Sequence, residues 1–247
     1  MLPAIKGFIK HSLVDWDGKI AAILFLPGCN FRCGYCHSPH LVPEGAPLEA
    51  IPWKNVAAFL DSQERWIDGV VVSGGEPFMH ANLEDLLIEL KARSLPVKID
   101  TNGSYPARLR NAVEKKLVDF VACDLKAPFT KKYDEVAEVP DAAAAVAESA
   151  RYLLTEPAPY EFRTTVCSAY LCEEEVVEMA ISIRGARRYV LQVMRSNICL
   201  DPVLEGMRSY TRADLERIAK NVAPYVDEVF VRGREIPAEN KEKSLFR

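Results

Sequence analysis

The sequence has no run of apolar residues long enough to cross a membrane. The longest, Ile20 to Pro27, falls far short of the roughly 20 residues that a spanning helix needs. Its start, Met1-Leu2-Pro3-Ala4-Ile5-Lys6, lacks the basic, apolar and small-residue layout of a secretory signal, so a cytoplasmic location is expected. Basic charge is not in excess: 31 Lys and Arg stand against 35 Asp and Glu, a formal net charge of −4, with no long basic run. That argues against gripping nucleic acid or an anionic membrane as the main task. No Gly/Ser-rich linker divides the chain and no segment repeats another. What is there is ordinary globular material, 49% hydrophobic and 27% charged, which excludes a disordered, collagen-like or coiled-coil chain. With 247 residues a sizeable core is available, and the missing linker favours one domain spanning residues 1–247.

Cysteine pairing is also missing. Seven cysteines, at 29, 33, 36, 123, 167, 172 and 199, are an odd number in a chain without an export signal, so disulfide stapling is not expected. The close trio points to metal or redox chemistry. Cys123 sits inside a strand pattern and reads as a small buried hydrophobe. Cys167, Cys172 and Cys199 lack the close pairing that a second cluster would need.

Short β-branched or aromatic runs, ended by Gly, Pro, Asp or Asn, read as strands over 21–26, 69–73, 96–100, 119–124, 160–166, 188–194 and 228–231. They read as continuous apolar strands covered on both faces rather than alternating ones. Helical patterns fill the gaps at 53–66, 83–93, 106–116, 141–154, 173–184 and 212–222, with Asn82 and Thr211 as N-caps. Alternating strand and helix implies a parallel sheet with crossover helices. Since a full eight-fold barrel takes roughly 250 residues, and the first fifty here go largely to an extension and a cysteine loop, the expected fold is α/β. It is a partial (β/α)6 TIM-type barrel with an N-terminal extension over 1–20, a cluster-binding loop, and a mobile polar tail over 238–247. The active site should then collect at the C-terminal strand ends.

Directly after the first strand pattern comes Pro27-Gly28-Cys29-Asn30-Phe31-Arg32-Cys33-Gly34-Tyr35-Cys36-His37. Three thiolates at Cys-x3-Cys-x2-Cys spacing can converge in one loop, where Gly28 and Gly34 permit tight folding. They are one short of closing a four-iron cluster, leaving one iron open to a substrate. The same residues with His37 make a Cys3His set for a structural zinc, and the loop by itself leaves both readings open.

Other strand ends carry polar residues in register with this loop. Ser73-Gly74-Gly75-Glu76-Pro77 brings two glycines, which let backbone approach a ligand, and a carboxylate that can accept from an ammonium. Asp100-Thr101-Asn102-Gly103 and Asp124-Leu125-Lys126 close the next two strands, placing carboxylates and a cation at one mouth. Arg163, Thr164 and Thr165 end the fifth strand, and Gln192 and Arg195 the sixth, where they are positioned to line the pocket's far end.

These residues together resemble the radical S-adenosylmethionine superfamily, and within it the enzymes that activate glycyl radical enzymes. The resemblance rests on the Cys-x3-Cys-x-aromatic-Cys loop, the Gly-Gly-Glu, Asp-Thr-Asn-Gly and Asp-x-Lys segments, and the flanking phrases Ser12 to Lys19 and Asp124-Leu125-Lys126-Ala127-Pro128. It implies that Cys29, Cys33 and Cys36 hold a 4Fe-4S cluster whose fourth iron is chelated by S-adenosylmethionine, with Tyr35 beside the adenine. Gly74, Gly75 and Glu76 would bind the methionyl amino group, and Asp124 and Lys126 the ribose and carboxylate. Asp100, Thr101 and Asn102 would lie alongside, in some members helping to hold a monovalent cation. Gln192 stands where some relatives place a histidine. His37 and Arg163 complete the expected cofactor contacts. The resemblance further implies reductive cleavage of S-adenosylmethionine to a 5′-deoxyadenosyl radical. That radical takes hydrogen from a glycine of a partner, expected to be anaerobic ribonucleoside-triphosphate reductase, with a flavodoxin- or ferredoxin-type electron donor. A radical enzyme acting on a small metabolite and a non-catalytic zinc-binding module are the alternatives.

Overall fold

The computed structural model describes residues 1–43, 48–63 and 66–233. Eight strands form one sheet whose spatial order is the chain order: β1 (Gly7–Ser12), β2 (Ala21–Leu26), β3 (Gly69–Gly74), β4 (Val97–Thr101), β5 (Phe120–Asp124), β6 (Tyr160–Val166), β7 (Arg188–Val193) and β8 (Glu228–Arg232). From β2 to β8 every pairing is parallel, and helices α1 (Trp53–Ser62), α2 (Leu83–Lys91), α3 (Pro106–Glu114), α4 (Lys131–Ala137), α5 (Ala142–Leu153), α6 (Glu173–Ser182) and α7 (Arg212–Val222) lie in the six crossovers. Six parallel crossovers with β1 and β8 left as edges make the expected open barrel. Among the described residues no helix is long and apolar enough to cross a membrane.

Two expectations need correction. Residues 7–12, read as part of an extension, form β1, which pairs antiparallel with β2. Their half-exposed, Lys- and His-containing pattern suits an edge strand and hides it from a search for buried runs. The strands are also not all continuously apolar. β2 and β3 are, because both faces are dry: Ala22, Leu24, Leu26, Val70 and Val72 join the core under the helices, while Ala21, Ile23 and Val71 pack inside the barrel with Trp16. β4 and β6 instead alternate, sending Val97, Ile99, Tyr160 and Phe162 into the helix-side core and keeping Lys98, Asp100, Glu161 and Arg163 on the other side. One arc of the barrel interior is therefore apolar and the facing arc is ionic.

Thr211 caps α7 in a reciprocal pair with Asp214, as expected, whereas the Asn82 side chain makes no cap bond to α2. Helix α4 has no counterpart among the expected helices. It is short, opens on Thr130, and buries Tyr133, Val136 and Ala137. Residues 64–65, within the expected first helix, and the expected tail at 238–247 lie outside the described residues.

Candidate active site

A cavity of about 260 Å3 opens at the C-terminal ends of the strands. Its wall contains Cys29, Cys33, Tyr35, Cys36 and His37 from the cysteine loop, Gly74 and Gly75 at the end of β3, and Asp100, Thr101 and Asn102 at the end of β4. Asp124, Lys126, Arg163 and Gln192 close the far side. Residues from six segments far apart in sequence thus share one space. A larger hollow of about 740 Å3 lies at the opposite mouth, lined by Trp16, Lys98, Glu161 and Arg188 among others. The expected site residues are absent from that wall, and its buried charges neutralise one another.

The cysteine loop is held by backbone bonds on both sides. Gly28 and Cys29 donate to the carbonyls of Leu41 and Val42 at 2.7 and 3.0 Å, and Arg32 donates to Ala137 at the end of α4 at 2.9 Å. Phe31 meets Tyr133 edge-on, so the helix that the pattern concealed is the one that backs the loop. Burial pushes the Cys29 thiol up to about 12 and the Cys33 thiol up to about 11, and raises Cys36 as well. All three are protonated at neutral pH until a metal displaces the protons.

His37 does not behave as a free ligand. Its Nε2 accepts the backbone N–H of Arg195 at 3.0 Å, and burial followed by the Arg195 charge lowers its ionisation to about 4. Among the described residues no three His, Cys, Asp or Glu side chains are placed to hold a single metal ion. Zinc needs all its sulfurs within about 2.3 Å of one centre, while a cubane needs only that each sulfur reach a different iron. Three thiols on one cavity wall fit a cubane, of which each would hold a different iron. Tyr35 lines the cavity, while its hydroxyl is buried without a hydrogen-bond partner.

The glycine pair lines the cavity and also lies against the backbone beside it. A Cβ on Gly74, whose φ is +124°, would stand 2.2 Å from the Leu26 carbonyl oxygen, and one on Gly75 would stand 1.9 Å from that of Gly28. Gly74 is therefore required by the close approach of the end of β2, and Gly75 by that of the cysteine loop. Glu76 is fully buried and lies behind the cavity wall rather than on it. Its carboxylate accepts from Thr101 Oγ1 at 2.8 Å, Asn102 N at 2.6 Å and Phe78 N at 3.0 Å. It ties β3 to β4. Asn102 in turn extends its amide to Asn30 Oδ1 at 3.0 Å and to the Cys29 sulfur at 3.9 Å.

On the far wall the charges are paired in a chain. Lys126 Nζ lies 3.1 Å from Asp124 Oδ2, and Arg163 reaches Asp124 through Nε at 2.8 Å and Asp100 through Nη1 at 3.1 Å. Burial alone would raise Asp124, but the Arg163 and Lys126 charges outweigh it and hold the acid at about 2. The wall also includes Phe31, Ser38, Val42, Ser73 and Thr165. Ser73 and Thr165 follow the strand-end rule; Phe31, Ser38 and Val42 carry no sequence signal and enter through loop folding.

The sequence pattern of the radical SAM superfamily matches residues 23–156, more than half of the chain. The chain belongs to this superfamily. Its relatives include glycyl-radical enzyme activating enzymes and a 7-carboxy-7-deazaguanine synthase. The chain is similar to the "Putative glycyl-radical enzyme activating enzyme" of Methanocaldococcus jannaschii, at 28% identity over 94% of this chain and 97% of that one. It is also similar to the pyruvate formate-lyase-activating enzyme of Staphylococcus epidermidis, at 33% over 49% of this chain and 54% of that one. Among solved structures, Streptococcus suis SuiB bound to S-adenosylmethionine shares the fold with a TM-score of 0.65 at 17% identity, over 85% of this chain and 52% of SuiB. The chain thus spans about half of that structure and of the pyruvate formate-lyase relative. A radical SAM enzyme uses a 4Fe-4S cluster and S-adenosylmethionine, and the donor set of this cavity fits both.

Proposed function

We propose that this radical SAM enzyme activates a glycyl radical enzyme by taking hydrogen from a backbone glycine of its partner, and that the partner is anaerobic ribonucleoside-triphosphate reductase. The observation that carries the reading is the likeness along nearly the whole chain to a glycyl-radical-activating relative. Named residues take named tasks. Cys29, Cys33 and Cys36 hold three irons, and Asn102 donates to the Cys29 sulfur, fixing its orientation and electron density. Lys126, steadied by Asp124, takes the carboxylate of S-adenosylmethionine in a charge-assisted bond. Tyr35 lies along the adenine, and Gln192 lines the same cavity. When bound, the cluster and S-adenosylmethionine supply a 5′-deoxyadenosyl radical.

The chain's own contribution is to bind, orient and exclude water. A cavity of about 260 Å3 leaves little room for a second small molecule beside a nucleoside, so a flexible glycine loop entering from the open side suits it better. A flavodoxin- or ferredoxin-type protein would supply the electron.

The test begins with anaerobic reconstitution with iron and sulfide and electron paramagnetic resonance of the reduced protein. A four-iron signal that changes on adding S-adenosylmethionine, and that Cys29→Ala, Cys33→Ala or Cys36→Ala abolishes, is expected. The loaded enzyme with reduced flavodoxin and anaerobic ribonucleotide reductase should then generate a glycyl radical on the reductase. Stoichiometric zinc in place of a cluster overturns the assignment, and a silent reductase overturns the partner.

A further inference from the structure

The resemblance read from the Asp-Thr-Asn-Gly and Asp-x-Lys segments carries an expectation that a monovalent cation helps to hold the cofactor in some members. The residues of this chain do not fit one. A sodium or potassium ion needs oxygen ligands with free lone pairs, and the oxygens at this corner are engaged. Asp124 Oδ1 faces Arg163 Nε at 2.8 Å and Oδ2 faces Lys126 Nζ at 3.1 Å. Thr101 Oγ1 donates to Glu76 at 2.8 Å and accepts from Gly103 N at 3.0 Å. Asp100 Oδ1 makes no hydrogen bond, yet its neighbours are already cations, Arg163 Nη1 at 3.1 Å and Lys98 Nζ at 3.8 Å.

We propose that Arg163 is a built-in cation: its guanidinium bridges Asp100 and Asp124, does the work of an exchangeable monovalent ion, and makes cofactor binding independent of sodium and potassium. This rests on the assignment of the cavity to S-adenosylmethionine. The charge count supports it. Asp100, Asp124 and Glu161 supply three negative charges; Arg163, Lys126 and Lys98 supply three positive ones, and Arg232 adds a fourth cation against Glu161 at 3.4 Å, all within one chain of ion pairs. A further cation would make this set more positive and would lie against a guanidinium, an expensive arrangement where water cannot screen it. A guanidinium also suits the task, because it does not deprotonate and its planar fork spans two carboxylates at once. Burial works against both charges, but the paired acids outweigh it at Arg163 and the paired cations outweigh it at Asp124, so both stay charged throughout the physiological range. Lys126 is then free to serve the ligand, since Asp124 does not depend on it alone.

The experiment measures S-adenosylmethionine affinity of the anaerobically reconstituted protein in sodium, potassium and tetramethylammonium chloride at one ionic strength. Melting of the cluster-free protein in the same three salts is recorded alongside. For the unaltered protein the three affinities are expected to agree within about twofold, since screening is equal, and the three melting temperatures to coincide. Arg163→Gln should bind about tenfold more weakly in tetramethylammonium and recover in sodium or potassium, the ion entering the vacated gap. Arg163→Lys, which keeps the charge without the fork, should lie between. An affinity of the unaltered protein that rises about tenfold with sodium or potassium overturns the proposal, with no variant needed. Arg163→Gln binding equally weakly in all three salts overturns it as well. No binding in any salt would instead overturn the reading of the cavity and the proposal with it.

Discussion

Glu76 shows how far one residue's role can shift between motif and fold. As part of Gly-Gly-Glu it reads as an acceptor for an ammonium; in the structure it is an internal acceptor that joins β3 to β4 through Thr101 and Asn102. Burial pushes its carboxyl up to about 7, against the three donors that favour the charged form. The fold therefore binds this proton more tightly than the unfolded chain. The contribution of Glu76 to stability is greatest below its ordinary value of 4.5 and falls as pH rises toward about 7. Glu76→Gln should be less stable by about 1–3 kcal/mol below pH 4.5, because its amide nitrogen opposes a donor, and the deficit should shrink as pH rises toward about 7. The variant should also lose the decline between those two pH values. Denaturant unfolding of both proteins across that window checks it.

At the scale of elements, the cysteine loop is shaped by what packs behind it. The β3 turn meets the loop backbone with no space for a Cβ, and α4 caps its other side through Ala137 and Tyr133. Gly75→Ala should therefore displace Gly28 and Cys29, although residue 75 itself is not a ligand. The expected outcome is a lower iron content per chain after reconstitution, together with a lower melting temperature. Full iron loading would show that the loop can move aside. That a glycine pair and a 7-residue helix carry this burden explains why periodicity, which needs several turns to register, did not find α4.

Across the whole molecule, an ionic chain threads the barrel from one mouth to the other. Asp17 meets Arg188 at 2.9 Å and Arg232 at 3.2 Å, Arg232 meets Glu161 at 3.4 Å, and Glu161 meets Lys98 at 3.2 Å. From there Asp100, Arg163, Asp124 and Lys126 carry it to the cofactor cavity. Because Asp17 follows β1 and Arg232 ends β8, the chain also ties together the two edges of a sheet that does not close. Lys98 and Glu161 are each 2% exposed at the side chain, where an unpaired charge is far costlier than a paired one. Glu161→Ala is expected to cost about 3–5 kcal/mol in urea unfolding, whereas the double substitution Lys98→Met with Glu161→Leu should recover most of that loss. A double variant as unstable as Glu161→Ala would show that the pair contributes more than mutual neutralisation.

The sequence by itself determined the strand–helix alternation, the seven parallel strands and the corner of the barrel at which polar residues gather. Each of these depends on local chemistry: β-branched runs, turn residues at strand ends, thiols at fixed short spacing. It did not reveal β1, whose pattern is that of a half-exposed edge, nor the alternation in β4 and β6, where charges replace apolar residues on the inner face. It also could not say that Glu76 would turn inward or that Arg163 would bridge two acids. Only the tertiary structure decided those, because Asp100, Asp124 and Arg163 stand on three different strands. What a side chain on one of them touches is set by how the sheet coils, and no spacing along the chain encodes it.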